Sequence, residues 1–358
     1  MEELGGTDEI RSQPFRTSCM IGDKYGRRWD LHALQIGIIG TGWFSKVHAD
    51  LLAAAEGVKV RAFLGTSKEK AEHAAQPYGA AGYGDLTEML ETERLDAAYV
   101  CVPPMSHGAI ERELILRRIP FLAEKPLGLD TDVPRSILAG VEEAGLLTSV
   151  GYHFRYQSNM DKMKELLRQQ KAGMVLGRWM DGMPGVSWWR KQNGSGGQFI
   201  EQTTHLADLL RYLAGEVEEV YALYGSRVKH EQEEGVEVSD VGTVTLKLKS
   251  GLVANISNTC VLPAGTEADG VGLAVYTDQG VLDWNPRRLS WIRPGERTEY
   301  REPSNPYQKE TEAFLHALRT GDRSRIRSDY ADAYKTQAVT CAALESAGTG
   351  KPVRVNYE

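Results

Sequence analysis

The chain has 358 residues, 41% apolar and 25% charged, with 49 acids against 42 bases and a formal net charge of −7. That length suggests two domains, and the composition is ordinary globular usage, which excludes disorder over most of the chain. The acidic balance argues against a nucleic-acid partner, and no apolar run reaches the ~18 residues that would mark a membrane span.

Residues 1–33 are polar, lack an apolar signal-like core, and carry Asp8, Glu9, Asp23 and Asp30 among their bases. They read as a flexible tail rather than a secretory or transit segment, with Met20 as an alternative start. Cys19, Cys101, Cys260 and Cys341 are widely spaced and form no CxxC pair, so neither a disulfide framework nor a thiolate zinc site is expected. That usage suits a reducing cytoplasm.

From Leu34, strands and helices alternate. The sequence predicts strands over 34–39, 58–64, 96–102, 120–123 and 146–150. Between them it predicts helices over 43–55, 68–76, from Asp85, from a Ser106 cap to Arg118, and over 130–144. Such alternation implies right-handed crossovers and a parallel, doubly wound sheet, the Rossmann arrangement, over 34–151.

Gly40-Thr41-Gly42-Trp43-Phe44-Ser45 stands at the first strand–helix junction. Gly40 permits a tight turn, Gly42 allows close approach of a pyrophosphate at the helix N-terminus, and Ser45 replaces the usual third glycine. Placed after the first strand of such a series, and with Trp43 and Phe44, the loop is expected to bind a dinucleotide rather than serve only as a turn. An enzyme selecting NAD usually places an acid at the end of the second strand, yet Gly65-Thr66-Ser67-Lys68 has none. Thr66, Ser67 and Lys68 better fit a ribose 2′-phosphate, so NADP is favoured over NAD.

Four further stretches make the reading specific. Val102-Pro103-Pro104-Met105-Ser106-His107 follows the third of those strands, Ala123-Glu124-Lys125-Pro126-Leu127 the fourth, and Gly151-Tyr152-His153-Phe154-Arg155-Tyr156 the fifth. A later stretch runs Ser195-Gly196-Gly197-Gln198-Phe199-Ile200-Glu201-Gln202-Thr203-Thr204-His205-Leu206-Ala207-Asp208. Together they resemble the Gfo/Idh/MocA oxidoreductases, the group of glucose–fructose oxidoreductase and inositol dehydrogenase. The resemblance runs from Leu34 to the C-terminus. It implies a Rossmann domain followed by an α/β domain (152–358) with an open-faced mixed sheet. It also implies that Lys125 and His205 face the nicotinamide. The carboxylate four residues before that His, commonly Asp in the family, is Glu201 here.

Hydride leaves a carbinol carbon only as the hydroxyl proton is removed, so the site needs a base and a second group to hold the oxygen. Lys125, at the carboxyl end of a parallel strand, and His205 can fill these roles in either order. Glu201 and His205, spaced i, i+4, are expected to share a helix face, the carboxylate raising and orienting the imidazole. Pro103, Pro104, His107 and Glu124 complete the expected cofactor contacts. Arg155, Trp189, Gln202 and Asp208 join Lys125 and His205 as expected substrate contacts. No metal is expected, because the helix lacks the first His of a zinc motif and no third ligand is evident.

Beyond this, helices are predicted over 160–170, 195–214, 306–318 and 330–347, the last two returning to the Rossmann domain. Alternation from Val217 onward marks a sheet with one apolar face, turning at Ser250-Gly251. Its open face suggests a homo-dimer or homo-tetramer. The charge run Lys229 to Glu237 reads as an exposed hairpin. The expected activity is hydride transfer between NADP or NAD and a secondary alcohol or ketone of a sugar, cyclitol or related polyol. Two alternatives keep the fold: a glycosidase or eliminase using tightly bound NAD, or a non-enzymatic nucleotide-binding regulator.

Overall fold

The apolar strands of the first half stack side by side because helices cover both their faces. In the structure, a computed structural model describing residues 21–22, 28–29, 33–266 and 270–358, they form a six-stranded sheet. Its strands are β1 (Leu34–Ile39), β2 (Val58–Leu64), β3 (Ala81–Tyr83), β4 (Ala97–Val100), β5 (Phe121–Ala123) and β6 (Thr148–Val150). Their order is β3-β2-β1-β4-β5-β6, all parallel. The order reverses between β1 and β4, which opens a crevice at their carboxyl ends. Helices α1 (Trp43–Ala54), α2 (Lys68–Ala75), α3 (Leu86–Thr92), α4 (Ala109–Leu116) and α5 (Asp132–Ala144) make the crossovers. The tail expected over residues 1–33 falls mostly outside the described residues; within it, Ile21–Gly22 pairs antiparallel with Arg28–Trp29.

The second half carries a nine-stranded mixed sheet covered on one face by helices α6 (Ser158–Leu167) and α7 (Thr204–Ala214). Its strands are β7 (Ala172–Met180), β8 (Val217–Gly225), β9 (Val241–Leu248), β10 (Val253–Thr259), β11 (Val271–Thr277), β12 (Gly280–Asn285), β13 (Arg288–Arg293), β14 (Glu296–Arg301) and β15 (Val353–Arg354). The order is β14-β13-β12-β11-β7-β10-β9-β8-β15, with β7 and β10 parallel and the other neighbours antiparallel. Val175, Leu246, Ile256 and Leu273 point inward onto Leu206, Leu209 and Leu210 of α7. The opposite face is bare: Met174, Leu176, Tyr221, Leu223, Val253 and Tyr276 are all exposed.

Helix α8 (Pro306–Thr320) places Phe314 and Leu315 in one Rossmann core with Ile36 and Leu122. Helix α9 (Tyr330–Thr349) places Tyr330 and Tyr334 in the other, while its Val339 enters the core of the large sheet. These helices lock the two sheets into one body.

Three sequence expectations are corrected. Helix α4 starts at Ala109, so Gly108 rather than Ser106 is its cap; Glu111 reaches back to accept the Gly108 N–H at 2.6 Å. The helix expected over 195–214 is broken, because Gly196 and Gly197 take φ of +73° and +93°. One helical turn covers Gln198–Glu201 before α7 begins. The Lys229–Glu237 run is not a free hairpin but part of a clamped excursion between β8 and β9, described below.

Candidate active site

The glycine turn is built for a close neighbour. Gly40 has φ +116°, and a Cβ there would lie 2.2 Å from the Cys101 carbonyl oxygen, so no side chain fits. A Cβ on Gly42 would meet nothing within 4 Å, so this residue faces open space. Gly42 caps the twelve-residue α1 without a side-chain hydrogen bond, and the first turn carries no acid. Its N–H groups and helix dipole are left for an anion. Trp43 stands beside them, 68% exposed. These features fit the pyrophosphate of a dinucleotide.

At the next strand end, the Gly40 N–H bonds the Leu64 carbonyl at 2.8 Å, bringing Gly65-Thr66-Ser67-Lys68 against the turn. Ser67 caps α2, and Lys70, which the sequence reading missed, donates to Thr66 Oγ1 at 3.2 Å. Two cations thus flank the strand end where a ribose-binding acid would otherwise stand. Pro103 and Pro104 follow β4 as a short 3-10 turn. His107 is buried with Nδ1 2.6 Å from Glu111 and its Nε2 unpartnered.

Lys125 follows β5, joined to Pro126 by a cis peptide. Its Nζ donates to both the carboxylate Oε1 and the backbone carbonyl of Glu201, each at 2.8 Å. The other Glu201 oxygen accepts from Trp189 Nε1 at 2.8 Å. An ammonium has three donors, so one N–H of Lys125 remains for a ligand oxygen.

His205 lies within electrostatic reach of Lys125 but is not paired with Glu201, correcting the expected helix-face pair. The break before α7 takes the two residues off a common helix face. Instead of a carboxylate, His205 is surrounded by rings: Trp179 stacked at 5.9 Å, His153 edge-on at 4.8 Å, Phe154 at 5.1 Å and Tyr152 at 5.8 Å. Burial, then His153 and Lys125, push its pKa well below 6.5, so the imidazole is neutral. Its Nδ1 is enclosed without a partner.

Behind Lys125, Glu124 is buried and bonded to His48 of α1 at 2.7 Å. Burial pushes its carboxyl up, but His48, with help from Lys125 and His153, more than reverses this and keeps it ionised. His153 is held down to about 3 by burial and lies flat on Tyr307 at 4.1 Å. His48, His153, Trp179 and Tyr307 were not singled out from sequence. Only His153, inside a quoted motif, carried any signal.

Three expected substrate contacts, Arg155, Asp208 and Trp189, are corrected. Arg155 is buried and bidentate to Asp208 at 2.7 and 2.6 Å, with its third nitrogen on Asp332 and the Arg327 carbonyl. Asp208 also accepts from Thr336. This pair ties the Rossmann edge to α7 and α9, and both side chains are buried and committed to it, with 2% and 1% exposure. Trp189 is 1% exposed, so its face is not available for stacking on a sugar. Gln202 is half-buried and accepts from Gln198, itself anchored on the Thr259 carbonyl.

The sequence matches the family models GFO_IDH_MocA, described as an oxidoreductase family with an NAD-binding Rossmann fold, over residues 34–152, and GFO_IDH_MocA_C, the family's C-terminal alpha/beta domain, over residues 164–355. The chain belongs to the Gfo/Idh/MocA oxidoreductase family. As a member it is an NAD(P)-dependent dehydrogenase. It is 25% identical over 343 residues to inositol 2-dehydrogenase of Rubrobacter xylanophilus, covering 92% of this chain and 95% of the relative. It is 23% identical over 340 residues to D-xylose 1-dehydrogenase (NADP(+)) 2 of Haloferax volcanii, covering 90% and 100%. The solved structure of myo-inositol 2-dehydrogenase from Lactobacillus plantarum shares the fold, with a TM-score of 0.76, 21% identity, and 90% and 99% of the two chains covered. No described helix is long and apolar enough to cross a membrane.

Proposed function

We propose that this family member interconverts a secondary alcohol and a ketone on a cyclitol or sugar, with Lys125 and His205 about the reacting carbon. The observation that carries this reading is Lys125: two donors fixed on Glu201, a third free, beside a neutral imidazole at the mouth of the glycine cradle.

Gly40, Gly42 and the N-terminus of α1 would hold the pyrophosphate, and Thr66, Ser67 and Lys68 the ribose, while Pro103, Pro104 and His107 would line the nicotinamide side. A bound nicotinamide nucleotide supplies the hydride acceptor or donor. Lys125 holds the substrate oxygen through its free N–H. His205, uncharged, takes the hydroxyl proton in oxidation and returns it in reduction, through Nε2, since Nδ1 is enclosed. The surrounding rings keep water from this exchange. Glu201 fixes Lys125 rather than His205.

The absence of an acid at the β2 end and the Lys68 and Lys70 cations support NADP as the preferred cofactor. The bare apolar face of the large sheet supports a homo-oligomer formed through it.

The test is a screen of myo-inositol, scyllo-inositol, D-glucose and D-xylose with NAD and NADP in parallel, read at the reduced-nicotinamide absorbance. Turnover of at least one polyol is expected, falling roughly 10²–10⁴-fold in Lys125→Met with nucleotide binding kept. Unchanged turnover in Lys125→Met would remove Lys125 from the reaction.

A further inference from the structure

Glu201 has two carboxylate oxygens and two uses for them. Oε1 meets Lys125, while Oε2 meets the indole of Trp189. A Glu side chain has one more rotatable bond than the Asp common at this place, so an anchor on its second oxygen is what fixes where the first one points. The anchor is itself fixed. Trp189 is packed in a small core with Val236, Val238 and Cys260. Two of these residues belong to the 226–240 excursion between β8 and β9.

That excursion is clamped at both ends. Asp240 accepts the backbone N–H groups of Arg227, Val228 and Lys229 at 2.8, 2.7 and 2.6 Å. Glu237 donates its backbone N–H to the Arg190 carbonyl at 2.8 Å, and its carboxylate takes Lys191 at 2.9 Å. Glu233 takes Arg190 at 2.6 Å. The charge run that reads as a solvated hairpin in the sequence thus grips the two residues that follow Trp189. From the far side, Ser195 Oγ donates to the Trp189 carbonyl at 2.7 Å.

We propose that Trp189, seated by the 226–240 excursion, is a positioning residue that holds the Glu201 carboxylate against Lys125 and so sets the reactivity of the Lys125 amine. The proposal rests on the oxidoreductase reading for its purpose but not for its test. With the indole N–H removed, Oε2 of Glu201 is left half-buried without a partner, and the carboxylate rotates away to regain hydrogen bonds. Lys125 then loses its charged acceptor and keeps only the Glu201 carbonyl. Its nitrogen is then held by one acceptor instead of two and is more open to an acylating reagent.

Trp189→Phe keeps the ring in its core and deletes only the donor. Full-length wild type, Trp189→Phe and Glu201→Gln are treated with acetic anhydride at pH 8 to low conversion. Lys125 acylation is read by peptide mass spectrometry against the exposed Lys59 in the same digest. In Trp189→Phe the Lys125 to Lys59 ratio is expected to rise roughly tenfold, as for a lost charge-assisted hydrogen bond, towards the ratio of Glu201→Gln. Melting temperatures recorded beside it show that the fold is intact, and Trp189→Met, whose side chain has no donor, should behave like Trp189→Phe. A wild-type ratio in Trp189→Phe overturns the proposal, whether or not Glu201→Gln raises its own.

The labelling uses no substrate or nucleotide, so its outcome is independent of the functional reading. The same preparations are assayed for nicotinamide-dependent oxidation of myo-inositol. There a fall in kcat with KM retained in Trp189→Phe connects the positioning to turnover. Absence of turnover in the wild type counts against myo-inositol as substrate and leaves the labelling result standing.

Discussion

The two cradle glycines should separate folding from nucleotide binding. Alanine at position 40 must hold φ +116° with its Cβ 2.2 Å from the Cys101 carbonyl oxygen. The strained backbone costs about 1–3 kcal/mol and the overpacking a similar amount, so Gly40→Ala should lose about 2–6 kcal/mol of stability. Gly42 has φ −80° and open space where a Cβ would go. Gly42→Ala therefore costs at most about 1 kcal/mol, the difference between the two residues as helix caps. Its methyl would instead fill the space a pyrophosphate must enter, raising the Kd for the reduced nucleotide about tenfold or more. Urea unfolding and nicotinamide fluorescence titration, run on the same preparations, read both effects. Wild-type affinity in Gly42→Ala would show that no phosphate passes that Cα. Wild-type stability in Gly40→Ala would show that the turn can open away from Cys101 at little cost.

Thr66→Asp puts a carboxylate among Lys68, Lys70 and the strand end, and should lower kcat/KM for NADP relative to NAD by about 10-fold or more, measured with whichever polyol is turned over. Two buried groups should shape stability against pH in opposite senses. His153 has its folded pKa depressed to about 3 from 6.5, so the stability it permits is present above 6.5 and lost as pH falls, by about 2 kcal/mol at pH 5. His153→Phe, which retains the stack on Tyr307, should flatten that acid-side decline. Glu310 is raised well above 4.5 by burial, with neither oxygen hydrogen-bonded, so its contribution is present below 4.5 and lost as pH rises. Glu310→Gln should therefore stabilise the protein at pH 7.5 and gain nothing at pH 4; equal gains at both would refute a neutral buried acid. Leu176→Glu and Leu223→Glu, on the bare sheet face, should each reduce the sedimenting mass by at least half if copies meet there, and leave it unchanged if they do not.

The first half of the fold was legible because buried parallel strands are continuous apolar runs bounded by Gly and Pro, and the cradle motif needs only local sequence. The large sheet was less so. Strand β7 lies at its centre, yet Met174, Val175 and Leu176 are apolar on both faces and Gly173 and Gly177 interrupt them, so no alternation marks it. Edge strand β14, Glu-Arg-Thr-Glu-Tyr-Arg, buries too little to show a pattern at all. Edge strand β3 is three residues long, too short for any period to register.

The site shows the same division. Lys125, Glu201 and His205 were identified by motif, but spacing could not tell which of them meet. An i, i+4 rule assumes an unbroken helix, and the interruption at Gln202–Thr203, between the two residues, removed that premise. The consequence is chemical. A carboxylate on His205 would raise its pKa towards the imidazolium, which can give a proton but not take one. Placed against Lys125 instead, the same carboxylate fixes that side chain as a hydrogen-bond donor, while burial keeps His205 neutral. Under the proposed reading, the two groups, equivalent in sequence, thereby take different parts: one holds the substrate oxygen and the other can take its proton.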